Sequence, residues 1–141
     1  VSIIEHLNPK TRVVAECLSE KHTVLFAGAK NVSLVHTLHL SNNLLVQEAQ
    51  DPGASLLTRA VTSNRIDGTL ASTRVEDGSA GSVKYLEAAK KLLDKEINLI
   101  GVIRDGSVNC NFGSLTLTQN DSLVYISSGR LTWESLRPLL V

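Results

Sequence analysis

No field of one charge runs through this chain. Fourteen Lys and Arg balance fourteen Asp and Glu over 141 residues, a formal charge of zero. Nothing would hold a polyanion, which argues against a nucleic-acid binder. Long hydrophobic runs are missing too, since none approaches the roughly 18 residues of a membrane span. No signal peptide is expected, because Val1-Ser2-Ile3-Ile4 already reads as amphipathic. The chain opens on valine inside what reads as a helix, so it is expected to be a fragment of something longer. Cysteine is scarce: Cys17 and Cys110 each sit in an apolar, strand-like run. Between a disulfide or redox pair and two small buried hydrophobes in a reducing cytoplasm, the second reading is kept. Catalytic signatures are also lacking, with no nucleophile elbow and no Cys–His motif whose local sequence suggests catalysis.

What is present is an ordinary globular composition, 43% hydrophobic and 20% charged, in a length that suits one domain or two small lobes. The chain is organised around residues 37–63, which read as two helices and a sharp turn. Leu38, Leu45 and Ala49 form one stripe, widened by Leu44 and Val46. Asp51-Pro52-Gly53 stops that helix, with Asp51 placed to cap the next. Ala54, Leu57, Ala60 and Val61 repeat the stripe beside Leu56.

Before this connector the pattern is helix, strand, helix, strand. Residues 1–7 end a helix at Asn8-Pro9. Residues 11–17, around Val13 and Val14, suit a strand buried on both faces of a parallel sheet. Residues 18–27 read as a helix, with Ser19 as cap, Val24, Leu25 and Phe26 as its apolar side, and Gly28 in the left-handed position beyond it. Residues 31–36 form a second buried strand. After the connector the signals turn antiparallel. A strand over 68–76, a flexible loop over 77–82 and a helix over 82–94 are expected, the helix burying Val83, Leu86, Ala89 and Leu93. A strand over 97–104 then meets the hairpin signal Asp105-Gly106. Val108, Cys110 and Phe112 alternate on the return strand, strands follow at 115–118 and 122–127, and Thr132 caps a short helix ended by Pro138.

LNPKTRVVAE, a helix, then FAGAKNVSLV resembles the second half of the Rossmann-like lobe of RCK domains, the regulators of potassium conductance. Asn8, Pro9, Val13, Val14, Ala15, Glu16, Ala27, Gly28 and Ala29 carry the likeness. The helix–turn–helix stands where that family has its crossover connector, and YLEAAKKLL, NLIGVIRDG and LTLTQNDSLVYIS resemble its small C-terminal lobe. The resemblance implies an α/β fold: half of a Rossmann-like parallel sheet, the crossover, and a small α+β C-terminal lobe. Residues 1–64 and 65–141 are the expected domains. The glycine-rich G-x-G-x-x-G turn that seats a nucleotide's phosphates, and the strand before it, are absent from this sequence.

The resemblance further implies a cytoplasmic regulatory module of a potassium channel or transporter, not an enzyme, working as a homodimer or higher ring attached to a pore-forming membrane domain. No cofactor is expected in this fragment. In the full protein a nucleotide or divalent cation is the implied ligand, and the small lobe of that family sometimes takes effectors such as cyclic di-AMP at a subunit interface. Leu38, Leu44, Leu45, Leu57 and Val61 are the implied dimer interface. Calcium-gated members place carboxylates near the end of the strand matching residues 11–17, which makes Glu16 a weak metal candidate; Val14, two residues earlier, offers it no partner. His36 and His39, three apart, lack a third ligand nearby. Residues 78–82, before a helix, could hold an anion through backbone N–H groups, but lack the Lys-Ser/Thr ending of a phosphate loop. Two other readings stay open: a fragment of a dinucleotide-dependent oxidoreductase, and a ligand-free dimerisation domain.

Overall fold

A computed structural model describes residues 8, 10–29, 31–63, 68–81, 83–110 and 115–141. Their packing separates into two compact units, Val1–Ser55 and Leu56–Val141. The helix expected over residues 1–7, the boundary expected between residues 64 and 65, and the Phe112 end of the return strand lie outside the described residues.

In the first unit the Asn8 side chain and carbonyl accept from the backbone N–H groups of Lys10 and Thr11, at 3.2 and 3.1 Å, turning the chain into its first strand. β1 (Val13–Glu16) pairs in parallel with β2 (Val32–Val35), Val13 opposite Val32 and Glu16 opposite Val35. The connection between them, where a helix is expected, is a 3-10 helix, Glu20–Phe26. It is the burial that differs from expectation. A helix depends on an apolar face to bury, and a sheet of two strands offers little, so Val24 and Leu25 stay exposed and Val14 is 66% exposed. Gly28 does not take the left-handed conformation, which among the described glycines occurs at Gly53 and Gly106. Cys17 is buried and its Sγ–H donates to the Ser19 carbonyl at 3.1 Å; Cys110, expected to be buried, is exposed.

The two connector helices form as expected: α1 spans Thr37–Gln50 and α2 spans Ala54–Thr62. Gly53 turns between them at φ +105°, a conformation that side chains with a Cβ rarely adopt.

The second unit is an antiparallel sheet, β3 (Thr69–Arg74), β4 (Asn98–Arg104), β5 (Ser107–Asn109) and β6 (Ser122–Ser127), in the order β3-β6-β4-β5. Asp105 and Gly106, at φ 50° and 77°, make the two-residue turn into β5 that the sequence signalled. Gly101 in β4 is where β5 comes close: a Cβ there would stand 3.3 Å from the Asn109 carbonyl oxygen and 3.4 Å from Cys110 Sγ.

Helices α3 (Tyr85–Leu93) and α4 (Trp133–Leu140) complete this core, in which Tyr85, Leu92, Leu123, Tyr125, Leu136 and Leu140 are fully buried. The buried face of α3 is Tyr85, Ala88 and Leu92, while Leu86 and Leu93 are exposed. Val83 and Tyr85 are drawn into a short ladder with Leu117 and Leu115, which replaces the expected strand at 115–118. The expected loop at 77–82 contains a 3-10 turn, Gly78–Ala80, with Ala80 buried. α4 also runs past Pro138, because the Trp133–Leu136–Leu140 stripe is buried and outweighs one missing hydrogen bond.

Candidate functional site

Glu16 stands exposed at the carboxyl end of β1. Its Oε1 accepts from Thr37 Oγ1 at 2.7 Å, tying the strand end to the first turn of α1. His39 Nδ1 lies 3.9 Å from Glu20 Oε1, and His36 Nδ1 is buried without a partner among the described residues. Among the described residues no group of three His, Cys, Asp or Glu is disposed to hold a metal.

The apolar connector positions are the more distinctive feature. No residue of α1 is buried; Leu38 is 58% exposed and Leu45 71%. On α2, Leu57 is 63% exposed and Leu56 is open beside it. Leu44 and Val61, the remaining expected contact residues, are half-buried.

The turn between the helices is fastened by a residue that the sequence pattern missed. Glu48 reaches forward so that Oε1 accepts from Gly53 N–H at 3.0 Å and Oε2 from Ser55 N–H at 2.8 Å. Glu48 therefore supplies a side-chain cap to this turn, and Ala54 N–H donates to the Asp51 carbonyl at 3.3 Å. The Ser55 and Gly53 amides hold the Glu48 carboxyl below its usual pKa. A depressed carboxyl contributes above its unfolded pKa and loses that contribution as pH falls through the folded value. Hydrogen exchange should show Gly53 and Ser55 amides protected at neutral pH, and exposed in Glu48→Ala. In acid, the wild type should approach the variant.

In the second unit the chief electrostatic feature is an ion pair whose carboxylate is buried and whose guanidinium is partly exposed. Asp121, 1% exposed, accepts from Arg104 Nε and Nη2, both at 2.8 Å, and from Thr118 N–H at 2.7 Å. Arg104 also donates to the Thr116 carbonyl at 2.8 Å. Burial alone would raise the Asp121 pKa, but Arg104 and Thr118 outweigh it and the net shift is downward. Asp77 is held down to about 2 by the Ser79 hydroxyl and N–H, and its Oδ2 pairs with Arg137 at 3.1 Å, joining the 3-10 turn to α4. Trp133 Nε1 is buried near this carboxylate without a hydrogen bond of normal geometry. Burial pushes the Tyr85 phenol up to about 12, and its hydroxyl donates to the Leu99 carbonyl at 2.8 Å. Two clefts open on this unit. One, of about 560 Å³, lies between β3 and the start of α4; the other, of about 310 Å³, lies between the turn after α3 and residues 126–131.

No family model matches this sequence, and no curated protein matches it. Among solved structures, the human SLO3 gating ring aligns with 97% of the chain at a TM-score of 0.65 and 16% identity. The fold is RCK-type. The mixed architecture inferred from the sequence, a parallel half-sheet, connector helices and an antiparallel lobe, agrees with that. A structure of the GsuK RCK domain aligns with 89% of the chain at a TM-score of 0.38 and 15% identity. The chain spans 29% of the matched gating-ring chain and 26% of the GsuK chain. Among the described residues no helix is long and apolar enough to cross a membrane.

Proposed function

We propose that this chain is a regulatory module of a potassium channel or transporter, acting on the cytoplasmic side of the membrane. It senses a small ligand and passes a change of shape on through self-association. The observation that carries the reading is the open apolar surface of α1 and α2 in a chain with an RCK-type fold. Leu38, Leu45 and Leu57 are exposed in the single chain, and exposed apolar side chains of this size are of the kind that an interaction site covers. A twofold partner offering the same leucines would cover them, because a symmetric dimer uses one surface twice. Leu44 and Val61 complete the proposed contact. Residues 1–64 and 65–141 act as the two functional lobes, and the pore-forming partner belongs to the full-length protein.

Catalysis forms no part of this reading. Tight NAD or ATP binding is not expected either, since the glycine-rich turn that would anchor the phosphates is missing from the sequence. The ligand is a nucleotide or a divalent cation taken up by the assembled protein. Thermal-shift and sedimentation measurements with a panel of nucleotides and of Mg²⁺, Ca²⁺ and Mn²⁺ test this. At least one probe should move the melting temperature and the association together. If none moves either, the chain is a ligand-free dimerisation domain.

A further inference from the structure

α2 has little packing to hold it. None of its nine residues is buried; Ala54, Thr58 and Val61 are half-buried, while Leu56 and Leu57 are 62% and 63% exposed. The hydrophobic core of the second unit includes none of them. The border between the two compact units falls inside this helix, after Ser55. Isolated helices shorter than about 12–15 residues are marginal in water, because the first turn fixes several dihedrals for one hydrogen bond. Thr58, Val61 and Thr62 are β-branched and lose rotamer freedom in a helix. The Thr62 hydroxyl also donates back to the Thr58 carbonyl at 2.7 Å, a bond of the kind that slightly weakens a helix. α1 differs, with fourteen residues and a first residue tied to β1 by the bond from Thr37 Oγ1 to Glu16.

What favours α2 is the Glu48 carboxylate. A helix begins with N–H groups that have no partner inside it. Glu48 takes two of them here, Gly53 N–H through Oε1 and Ser55 N–H through Oε2, and the Asp51 carbonyl takes that of Ala54. Three consecutive amides are therefore held at the start of α2 before any bond within it forms, and that start is the costly part of helix formation. One carboxylate can span them because Gly53, at φ +105°, turns the chain back to the end of α1. We infer that α2 is a switchable helix, nucleated by the Glu48 carboxylate, and that residues 54–62 open together without it while both sheets stay folded. Local opening of this kind belongs to elements with few buried apolar contacts. Leu57 and Val61 are four apart and share a face only while the helix stands, so opening takes apart the contact surface. That consequence rests on the self-association reading above, whereas the nucleation stands on residues 48–62 alone.

Residue-resolved hydrogen exchange tests the nucleation in the Leu45→Asp chain, where no helical contact contributes. Glu48→Gln keeps the length of the side chain and its helix propensity, so α1 is not weakened, but leaves one acceptor oxygen for two amides. Adding it should make the amides of residues 58–62 exchange at least about 10-fold faster, with those of β4 and β6 unchanged. Glu48→Ala should do the same. Sedimentation of Glu48→Gln with Leu45 restored then reads the consequence: association should weaken by at least about 10-fold although every leucine of the contact is in place. Unchanged exchange at residues 58–62 would show that α2 stands without Glu48 and overturn the inference. Faster exchange in β4 and β6 as well would make Glu48 a support of the whole fold and overturn α2 as a separately opening segment. Faster exchange confined to residues 54–62 with association untouched would uphold the nucleation and place the error in the reading of α2 as a contact.

Discussion

Asp121→Ala should lower the melting temperature of the C-terminal unit by on the order of 15 °C. The carboxylate is almost wholly buried and accepts three hydrogen bonds, two from Arg104 and one from Thr118 N–H. Removing one partner of a buried pair costs about 3 kcal/mol or more, because the other is left without its counter-charge. For a unit of this size, about 1 kcal/mol corresponds to roughly 4–8 °C. Arg104 keeps some access to water, which holds the expected cost to the lower end of that range. The location sharpens the effect. Arg104 ends β4, Asp121 precedes β6, and the Thr116 carbonyl accepts from the same guanidinium, so one cluster fastens the 115–121 segment to the sheet. The net downward pKa shift gives the sign of the pH dependence. The pair contributes fully above the unfolded aspartate pKa and loses its contribution as pH falls through the depressed folded value. Denaturant titrations should therefore show the largest gap between wild type and Asp121→Asn at neutral pH, narrowing in strong acid. A gap that stays constant from neutral pH into strong acid would mean that the charge is not what matters.

Leu45→Asp should weaken self-association by at least about 100-fold. Leu45 is among the most exposed large apolar residues of the chain, near the middle of a helix with no buried residue. Covering such a side chain is worth roughly 1.5–3 kcal/mol, and the variant also forces a carboxylate into an apolar contact. Together these exceed the roughly 2.8 kcal/mol that a hundredfold change requires. Because Leu45 is mostly exposed in the single chain, its fold should be little affected. Circular dichroism and melting temperature of the dissociated variant, compared with dilute wild type, check that separation.

How far the sequence is legible depends on the range of the interaction. The valines of β1 and β2, the apolar run of β6 and the Asp105-Gly106 turn are local signals, and the strands and hairpin stand where those signals put them. Helix existence was legible in α1–α4, but the face buried by α3 was not. Its start meets a ladder to residues 115–117, some thirty positions away, and Tyr85 rather than Leu86 faces the core. At the connector, Asp-Pro-Gly draws the eye to Asp51, while Glu48 reaches the Gly53 and Ser55 amides from the preceding helix. A side-chain cap five to seven residues upstream has no signature in sequence. The Arg104–Asp121 pair was likewise hidden, since each residue reads alone as a solvated charge and only the fold brings them to 2.8 Å. Burial on both faces of β1 was overestimated, because apolar character says that a strand can be covered and not by what.

Sedimentation of wild type and Leu45→Asp across a concentration series is the most direct test of a module that works through its connector helices. At micromolar concentration the wild type should have about twice the mass of the 15.2 kDa chain and Leu45→Asp the mass of one chain. A wild type that stays a single chain there, or a dimer that Leu45→Asp leaves intact, would contradict it.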